Sequence, residues 1–268
     1  MPNIVCCVKQ VPDPETPSSA FRVDEAAKRV VPALGISPVI SQFDQIAVEA
    51  ALRIRDAAGE GKITVLSLGP DSARDVIKTG LAMGADEGVL LNDPALFDGD
   101  GYSTAVALVA AIRKIGDVDL VLCGRQATDW DAGVTGLAIA ELMGVPSVSI
   151  TKSVTWSGGK VQAERVLGDA FETVEVPAPA VVTVSNELGE PRYPKLPQIM
   201  QAARKQVTIW TAADLGLSPD EAGVAGARLS LDRLYIPQVN SQVEYIDGEG
   251  PEEMAVALAR KLREAKLI

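Results

Sequence analysis

The sequence predicts an α/β fold: a doubly wound, mostly parallel sheet with a β-hairpin extension and a C-terminal arm ending in a helix. Three observations predict it. Short apolar runs alternate with amphipathic stretches through the first half of the chain, the rhythm of a parallel sheet covered on both faces. Hydrophobic residues make up 47% of the chain but aromatics only 4%, so the core is aliphatic, as buried parallel strands require. From Ser147 the helical stripes give way to extended runs broken by glycine and proline, the pattern of antiparallel pairing. At 268 residues the chain suits one large α/β domain with appendages or two small domains.

In order, Asn3–Val8 (NIVCCV) reads as the central first strand. Lys9–Pro17 carries Pro12, Pro14 and Pro17 and reads as a loop, because proline removes ladder donors. Ala20–Ser41 reads as irregular or hairpin-like. Gln42–Ala58 places apolar residues at 43, 46, 47, 50, 51 and 54, a helical stripe stopped by Gly59 and Gly61. Ile63–Ser67 is the next strand, and Gly69-Pro70-Asp71 caps a helix through Met83. Gly88–Leu91 is a third strand and Tyr102–Ile115 a helix.

Asp119–Gly136 (DLVLCGRQATDWDAGVTG) then opens as a strand, turns at Gly124 and leads through a polar loop into the helical segment Leu137–Met143. A strand passing through small residues into a helix gathers free N–H groups and a positive dipole end on one spot, suited to an anion or nucleotide. The plainer reading is a helix start capped by Asp131. On the rule that ligands sit at the carboxyl ends of parallel strands, Cys7–Lys9, Ser67–Pro70 and Gly124–Gly136 converge on one crevice. Beyond it, Ser147–Trp156 and Lys160–Val166 flank Ser157-Gly158-Gly159, a hairpin turn. Phe171–Val176 and Ala180–Ser185 are further strands, Gly189–Pro197 a proline-rich exposed loop, and Gln198–Lys205 a short basic helix. Thr211–Gly226 holds another capped segment, Arg228–Val243 reads as extended, and Pro251–Lys266 as an amphipathic helix.

Composition removes several function classes. A net charge of −11 argues against nucleic acid or an acidic membrane as main partner. The chain has no histidine, which excludes histidine triads, histidine-ligated metals and imidazole acid–base chemistry. Cys6, Cys7 and Cys123 lie in apolar runs without CxxC spacing and read as buried small hydrophobes of a reducing compartment. No run approaches a membrane span, and Met1–Val8 reads as a strand rather than a signal peptide. The expectation is a soluble protein of the bacterial cytoplasm without membrane insertion.

The remaining motifs are weak. Gly99-Asp100-Gly101 before a helix is half of a GxGxxG set far from its strand, and a capping loop is the better reading. Ser157-Gly158-Gly159-Lys160 lies between strands, so it is a hairpin and not a phosphate loop. Asp129 and Asp131 could pair for metal or acid–base work, but the favoured reading is helix capping and loop orientation. Lys9 and Arg125, at strand ends, stand where phosphate would sit, and a plain surface role is open to both.

With these pieces in order, the chain resembles the β subunit of electron transfer flavoprotein over essentially its full length. The resemblance rests on Val8–Pro12 (VKQVP), Phe43–Ala51 (FDQIAVEAA), Leu81–Asp86 (LAMGAD) and Gly124–Asp129 (GRQATD). It continues in Pro179–Thr183 (PAVVT) and in Asn186 followed by Glu190–Met200 (EPRYPKLPQIM). Six such stretches in the right order are specific where any one would be weak.

The resemblance implies an adenine-nucleotide α-hydrolase-like fold and an α/β heterodimer with one redox FAD, held mainly by the α subunit. Residues 1–205 would be the nucleotide-binding domain with hairpin extension and recognition loop, and 206–268 an arm contacting the α subunit. The subunit would do no bond chemistry. Electrons would pass from flavin dehydrogenases, such as the acyl-CoA dehydrogenases of fatty acid oxidation, to a quinone oxidoreductase. Cys7, Ser41, Leu68 and the loop Asp129, Trp130, Asp131, Ala132, Gly133, Val134 and Thr135 would hold a structural AMP, or a second FAD in bifurcating relatives. AMP is preferred, because Thr135-Gly136 follows the AMP-type pattern and Trp130 would crowd an isoalloxazine; Ser41 replaces a frequent asparagine, and Val166 stands where some relatives carry a glutamate near the flavin. Leu196, between Pro194 and Pro197, matches the leucine that anchors partner dehydrogenases; the plainer reading is a proline-stiffened loop on the subunit's own surface. Outside this family, an adenine-nucleotide-binding regulatory protein of the stress type is the alternative. A Rossmann dehydrogenase ranks last, since no glycine follows the first strand.

Overall fold

The computed structural model describes residues 1–238 and 242–268. Strand β1 is Asn3–Cys7, followed by β2 (Gln10–Val11), β3 (Arg22–Asp24), β4 (Arg29–Val31) and β5 (Val39–Ile40). Helix α1 spans Gln42–Ala58, the bounds its apolar stripe predicts, and ends on Gly59 in the left-handed region. Then come β6 (Lys62–Leu68), α2 (Arg74–Met83), β7 (Glu87–Leu91), α3 (Gly101–Ile115), β8 (Leu120–Gly124) and α4 (Thr135–Met143). The second half supplies β9 (Ser147–Ser157), β10 (Lys160–Val166), β11 (Phe171–Pro177), β12 (Ala180–Val184) and α5 (Leu196–Arg204). After these, β13 (Thr208–Trp210) and the short α6 (Gly223–Gly226) precede α7 (Pro251–Glu264).

Nine strands form one sheet in the order β11-β10-β9-β12-β8-β1-β6-β7-β13. From β9 through β13 every neighbouring pair is parallel, while β9, β10 and β11 pair antiparallel. The sheet is therefore mostly parallel with a hairpin extension, as the sequence predicts. Side-chain alternation divides its core into two layers. Ile4, Cys6, Ile63, Val65, Leu120 and Leu122 face α1 and α2, whereas Val5, Cys7, Leu66, Val121 and Cys123 face α3 and α4. All three cysteines are free and buried, as expected of small hydrophobes.

One reading of the early chain needs correction. Lys9–Pro17 is not wholly a loop, because Gln10 and Val11 pair antiparallel with Ile40 and Val39; a two-residue ladder leaves no periodic trace among prolines. Ala20–Ser41 contains the hairpin β3–β4, in line with its hairpin-like reading. Asp100 caps α3 by accepting from Ser103 N at 2.9 Å, which bears out the capping reading of Gly99-Asp100-Gly101. The stretch read as extended, Arg228–Val243, includes 239–241, which lie outside the described residues; its described part forms no strand. One compact unit runs Met1–Leu234, with β13 on the sheet edge beside β7. A second, Tyr235–Ile268, contains α7, and Lys261 there is ion-paired with Glu244. No described helix is long and apolar enough to cross a membrane.

Candidate functional site

From β1 the chain steps outward through β6 and β7, then returns to lay β8 on the other side of β1. Connections leaving β1 and β8 therefore part in opposite directions, and a crevice opens at their carboxyl ends. Cys7, Leu68 and Gly124 end adjacent strands that run the same way, with Cys7 in register with Cys123. The three segments expected to converge do so.

Asp44, in the first turn of α1, ties these ends together. Lys9 N donates to its Oδ2 at 2.9 Å and Gly124 N to its Oδ1 at 3.0 Å. The approach is close enough to demand glycine: a Cβ on residue 124 would stand 2.6 Å from Asp44 Oδ1 and from Phe43 Cβ. Burial pushes the Asp44 carboxyl up to about 7, although the two N–H donors pull the other way. Beside it, Lys9 Nζ pairs with Asp129 Oδ2 at 2.6 Å, and the Arg125 guanidinium lies 5.3 Å from the Phe43 ring centre. Burial raises the Cys6 thiol, and a hydrogen bond with Cys7 raises that of Cys123, so these two sulfurs line the sheet as thiols rather than as nucleophiles.

The loop after β8 holds its shape through its own side chains. Trp130 N donates to Asp129 Oδ1 at 3.0 Å, and Gln126 Nε2 to Asp131 Oδ1 at 2.8 Å. Asp131 and Gly133 both take positive φ, 50° and 64°. This corrects the capping readings: Val134, not Asp131, is the N-cap of α4, and no side chain caps it. Asp129 and Asp131 orient the loop and leave the helix end open. Among the described residues, the N–H groups of Ala132, Gly133, Val134, Thr135 and Gly136 meet no protein acceptor. Such a row of unpaired donors at a helix start suits an anion.

Ser41, fully buried at the N-cap of α1, donates its N–H to Lys9 O at 3.0 Å, yet its Oγ has no partner. An orphaned hydroxyl beside β1 and a row of free N–H groups beyond β8 fit a ligand carrying both a polar ring edge and a phosphate. Trp130 stands 54% exposed at the loop's apex. Among the described residues no group of three metal-ligating side chains exists.

A second expected cluster lies elsewhere. Leu196 is 70% exposed, Pro194 half-buried and Pro197 exposed. The helix expected from Gln198 starts two residues earlier, at Leu196, with Pro197 in its first turn. Gln198 Oε1 reaches back to accept from Lys195 N at 2.7 Å. Leu196 therefore opens a helix instead of sitting in a loop. Asp44, Glu49 and Arg192 were missed as site builders: each lies inside a quoted motif, but only its burial and distant partners mark it.

This arrangement defines a class: an α/β protein with a doubly wound sheet and a row of unpaired N–H groups at its topological switch point. The family model of the electron transfer flavoprotein domain matches residues 33–215, and the chain belongs to that family. Among its relatives is the electron transfer flavoprotein subunit beta of Thermoanaerobacterium thermosaccharolyticum, 39% identical over 247 residues, 92% of either chain. Another is the caffeyl-CoA reductase-Etf complex subunit CarD of Acetobacterium woodii, 34% identical over 99% of this chain and 100% of that one. The subunit beta of Megasphaera elsdenii is 33% identical over 99% and 100%.

Proposed function

We propose that this chain is the β subunit of a heterodimeric electron transfer flavoprotein, a carrier that makes and breaks no substrate bonds. The observation that carries the proposal is the free N–H row of Ala132–Gly136, which follows β8 at the switch point where Cys7 and Leu68 end the neighbouring parallel strands. The FAD is held mainly by the α subunit and supplies one- and two-electron chemistry. The crevice holds AMP: the loop Asp129–Thr135 takes the phosphate, and Cys7, Ser41 and Leu68 take the adenine side. The arm that contacts the α subunit lies within residues 206–268, beyond the sheet strand β13. Flavin dehydrogenases, acyl-CoA dehydrogenases among them, dock at Leu196 with Pro194 and Pro197, and a quinone oxidoreductase accepts the electrons.

An exposed leucine at the proline-stiffened start of a helix supports this docking role, because a preorganised apolar peg loses little entropy on transient contact. A cytoplasmic setting fits the three free thiols. The CarD relative, named as part of a reductase–Etf complex, favours a second reading in which the crevice takes a second FAD and electrons bifurcate.

Nucleotide content decides between them. Co-expressed with its α partner, purified and denatured, the heterodimer is expected to release one FAD and one AMP. Two FAD would establish the bifurcating reading. A homodimer releasing ATP alone would overturn the flavoprotein assignment and leave a stress-type nucleotide-binding protein.

A further inference from the structure

The segment that leads into Leu196 is tied to the body of the subunit by one buried carboxylate. Glu49 lies on α1 and is 4% exposed. Its Oε2 accepts from Arg192 N at 3.1 Å and from Arg192 Nε at 2.8 Å, while Oε1 accepts from Arg53 Nε at 2.8 Å. Arg192 Nη2 reaches on to Asp56 Oδ2 at 2.9 Å. Arg53 also donates from Nη1 to Leu188 O at 2.8 Å and from Nη2 to Glu190 O at 3.2 Å. Residues 188–192 are thus held on the outer face of α1 through Glu49 and the two guanidinium groups it organises. Burial alone would raise the Glu49 carboxyl, but the Arg192 and Arg53 hydrogen bonds hold it below the usual carboxylate range.

The far end of α5 is fastened separately. Lys78 Nζ donates to Ala202 O at 2.9 Å and Ala203 O at 3.1 Å, and Lys205 Nζ to Ala85 O at 2.7 Å. Between the two fastenings, Tyr193 is 90% exposed, and Leu196, Ile199 and Met200 point outward on one side of α5 at helical spacing. The apolar side chains are free because the backbone on either side is not.

We infer that Glu49 is the positioning residue of this docking segment: through Arg192 it fixes where Tyr193 and Leu196 stand when a reduced flavin dehydrogenase arrives. The inference rests on the docking role proposed above. Glu49 touches neither flavin nor partner; it removes the ordering cost that a loose segment would incur on each encounter. A glutamine has one acceptor oxygen for donors that now use two, and its NH₂ would face a guanidinium. A lysine at 192 keeps the charge but loses the planar fork.

The test uses the full heterodimer, with an acyl-CoA dehydrogenase reduced by its acyl-CoA as the electron donor. Glu49→Gln is expected to raise the half-saturating concentration of the carrier about tenfold, with an unchanged rate at saturation. Released nucleotides and direct reduction by dithionite, which needs no docking, are expected to match the parent. Arg192→Lys, on the solvent side of the network, is expected to shift the same parameter several-fold and serves if Glu49→Gln fails to assemble. Leu196→Ala is the control for the docking role itself. If it raises the half-saturating concentration while Glu49→Gln and Arg192→Lys do not, the positioning role is overturned and the docking role stands. If Leu196→Ala has no effect, the docking role fails. A fall in FAD content with either network variant would show a general structural role and would also overturn the inference.

Discussion

Asp44 and Glu49 sit five positions apart on α1, both buried, and their carboxyl groups are driven in opposite directions. Asp44 meets only backbone N–H groups inside the crevice floor, and burial wins, carrying it up to about 7. Glu49 meets two guanidinium groups at the helix surface, and charge-assisted hydrogen bonds win over burial. One helix thus carries an acid that holds its proton more tightly where strand ends must be pulled together, and an acid that holds its charge more tightly where a distant segment must be held. Burial by itself settles neither case; the identity of the donor does.

The comparison can be broken hardest at the floor. Gly124→Val would force a side chain into Asp44 Oδ1 and the Phe43 backbone, and a loss of about 3 kcal/mol in urea unfolding is expected. Less severe is Asp44→Asn, which offers one acceptor to the Lys9 and Gly124 N–H groups and is expected to cost roughly 2 kcal/mol.

That same variant sharpens the comparison through pH. The folded-state value of Asp44 is raised above its unfolded one, so the native state binds the proton more tightly. Its contribution is fully present below the unfolded value of 3.8 and is lost as pH climbs to about 7. Unfolding free energy of the parent relative to Asp44→Asn is therefore expected to shrink between those limits; a difference constant with pH would show the carboxyl ionised throughout. Glu49 has the opposite sign. Its folded value is lowered, so its contribution is present above the unfolded value of 4.5 and is lost as pH falls through the folded one. Acidification below 4.5 is expected to speed protease cleavage near Arg192 in the parent but to change little in Glu49→Gln.

The smallest effect belongs to the exposed pair beside the floor. Lys9→Ala breaks the contact with Asp129 and is expected to change stability by less than about 0.5 kcal/mol. If AMP occupies the crevice, the same change is expected to weaken its retention several-fold, read from nucleotide released per heterodimer.

The fold was legible in residues with local signals. The stripe of Gln42–Ala58 and the glycine after it set both ends of α1, and Asp100 announced α3 by its position three residues before Ser103. The convergence of Cys7–Lys9, Ser67–Pro70 and Gly124–Gly136 was legible too, because alternation implies parallel strands whose carboxyl ends share one edge; that β8 returns past β1 came only with the fold. Signals of another kind failed. Asp131 looks like a cap for α4, yet Gln126 holds its carboxylate and the cap position falls to Val134. Gln10–Val11 pairs across a proline-rich stretch too short to show a period. Leu196 begins a helix because Gln198 folds back on Lys195, a choice the adjacent prolines obscure.

By itself, the sequence determined the alternation of elements, the aliphatic two-faced core, the loop between β8 and α4, and the exposed leucine between prolines. Each of those follows from residue type and spacing within a few turns of chain. Only the tertiary structure decided which acids on α1 stay charged and what they hold. The partners of Asp44 and Glu49 lie 80 and 143 residues away at Gly124 and Arg192, and a proton equilibrium depends on who is near, not on who is next.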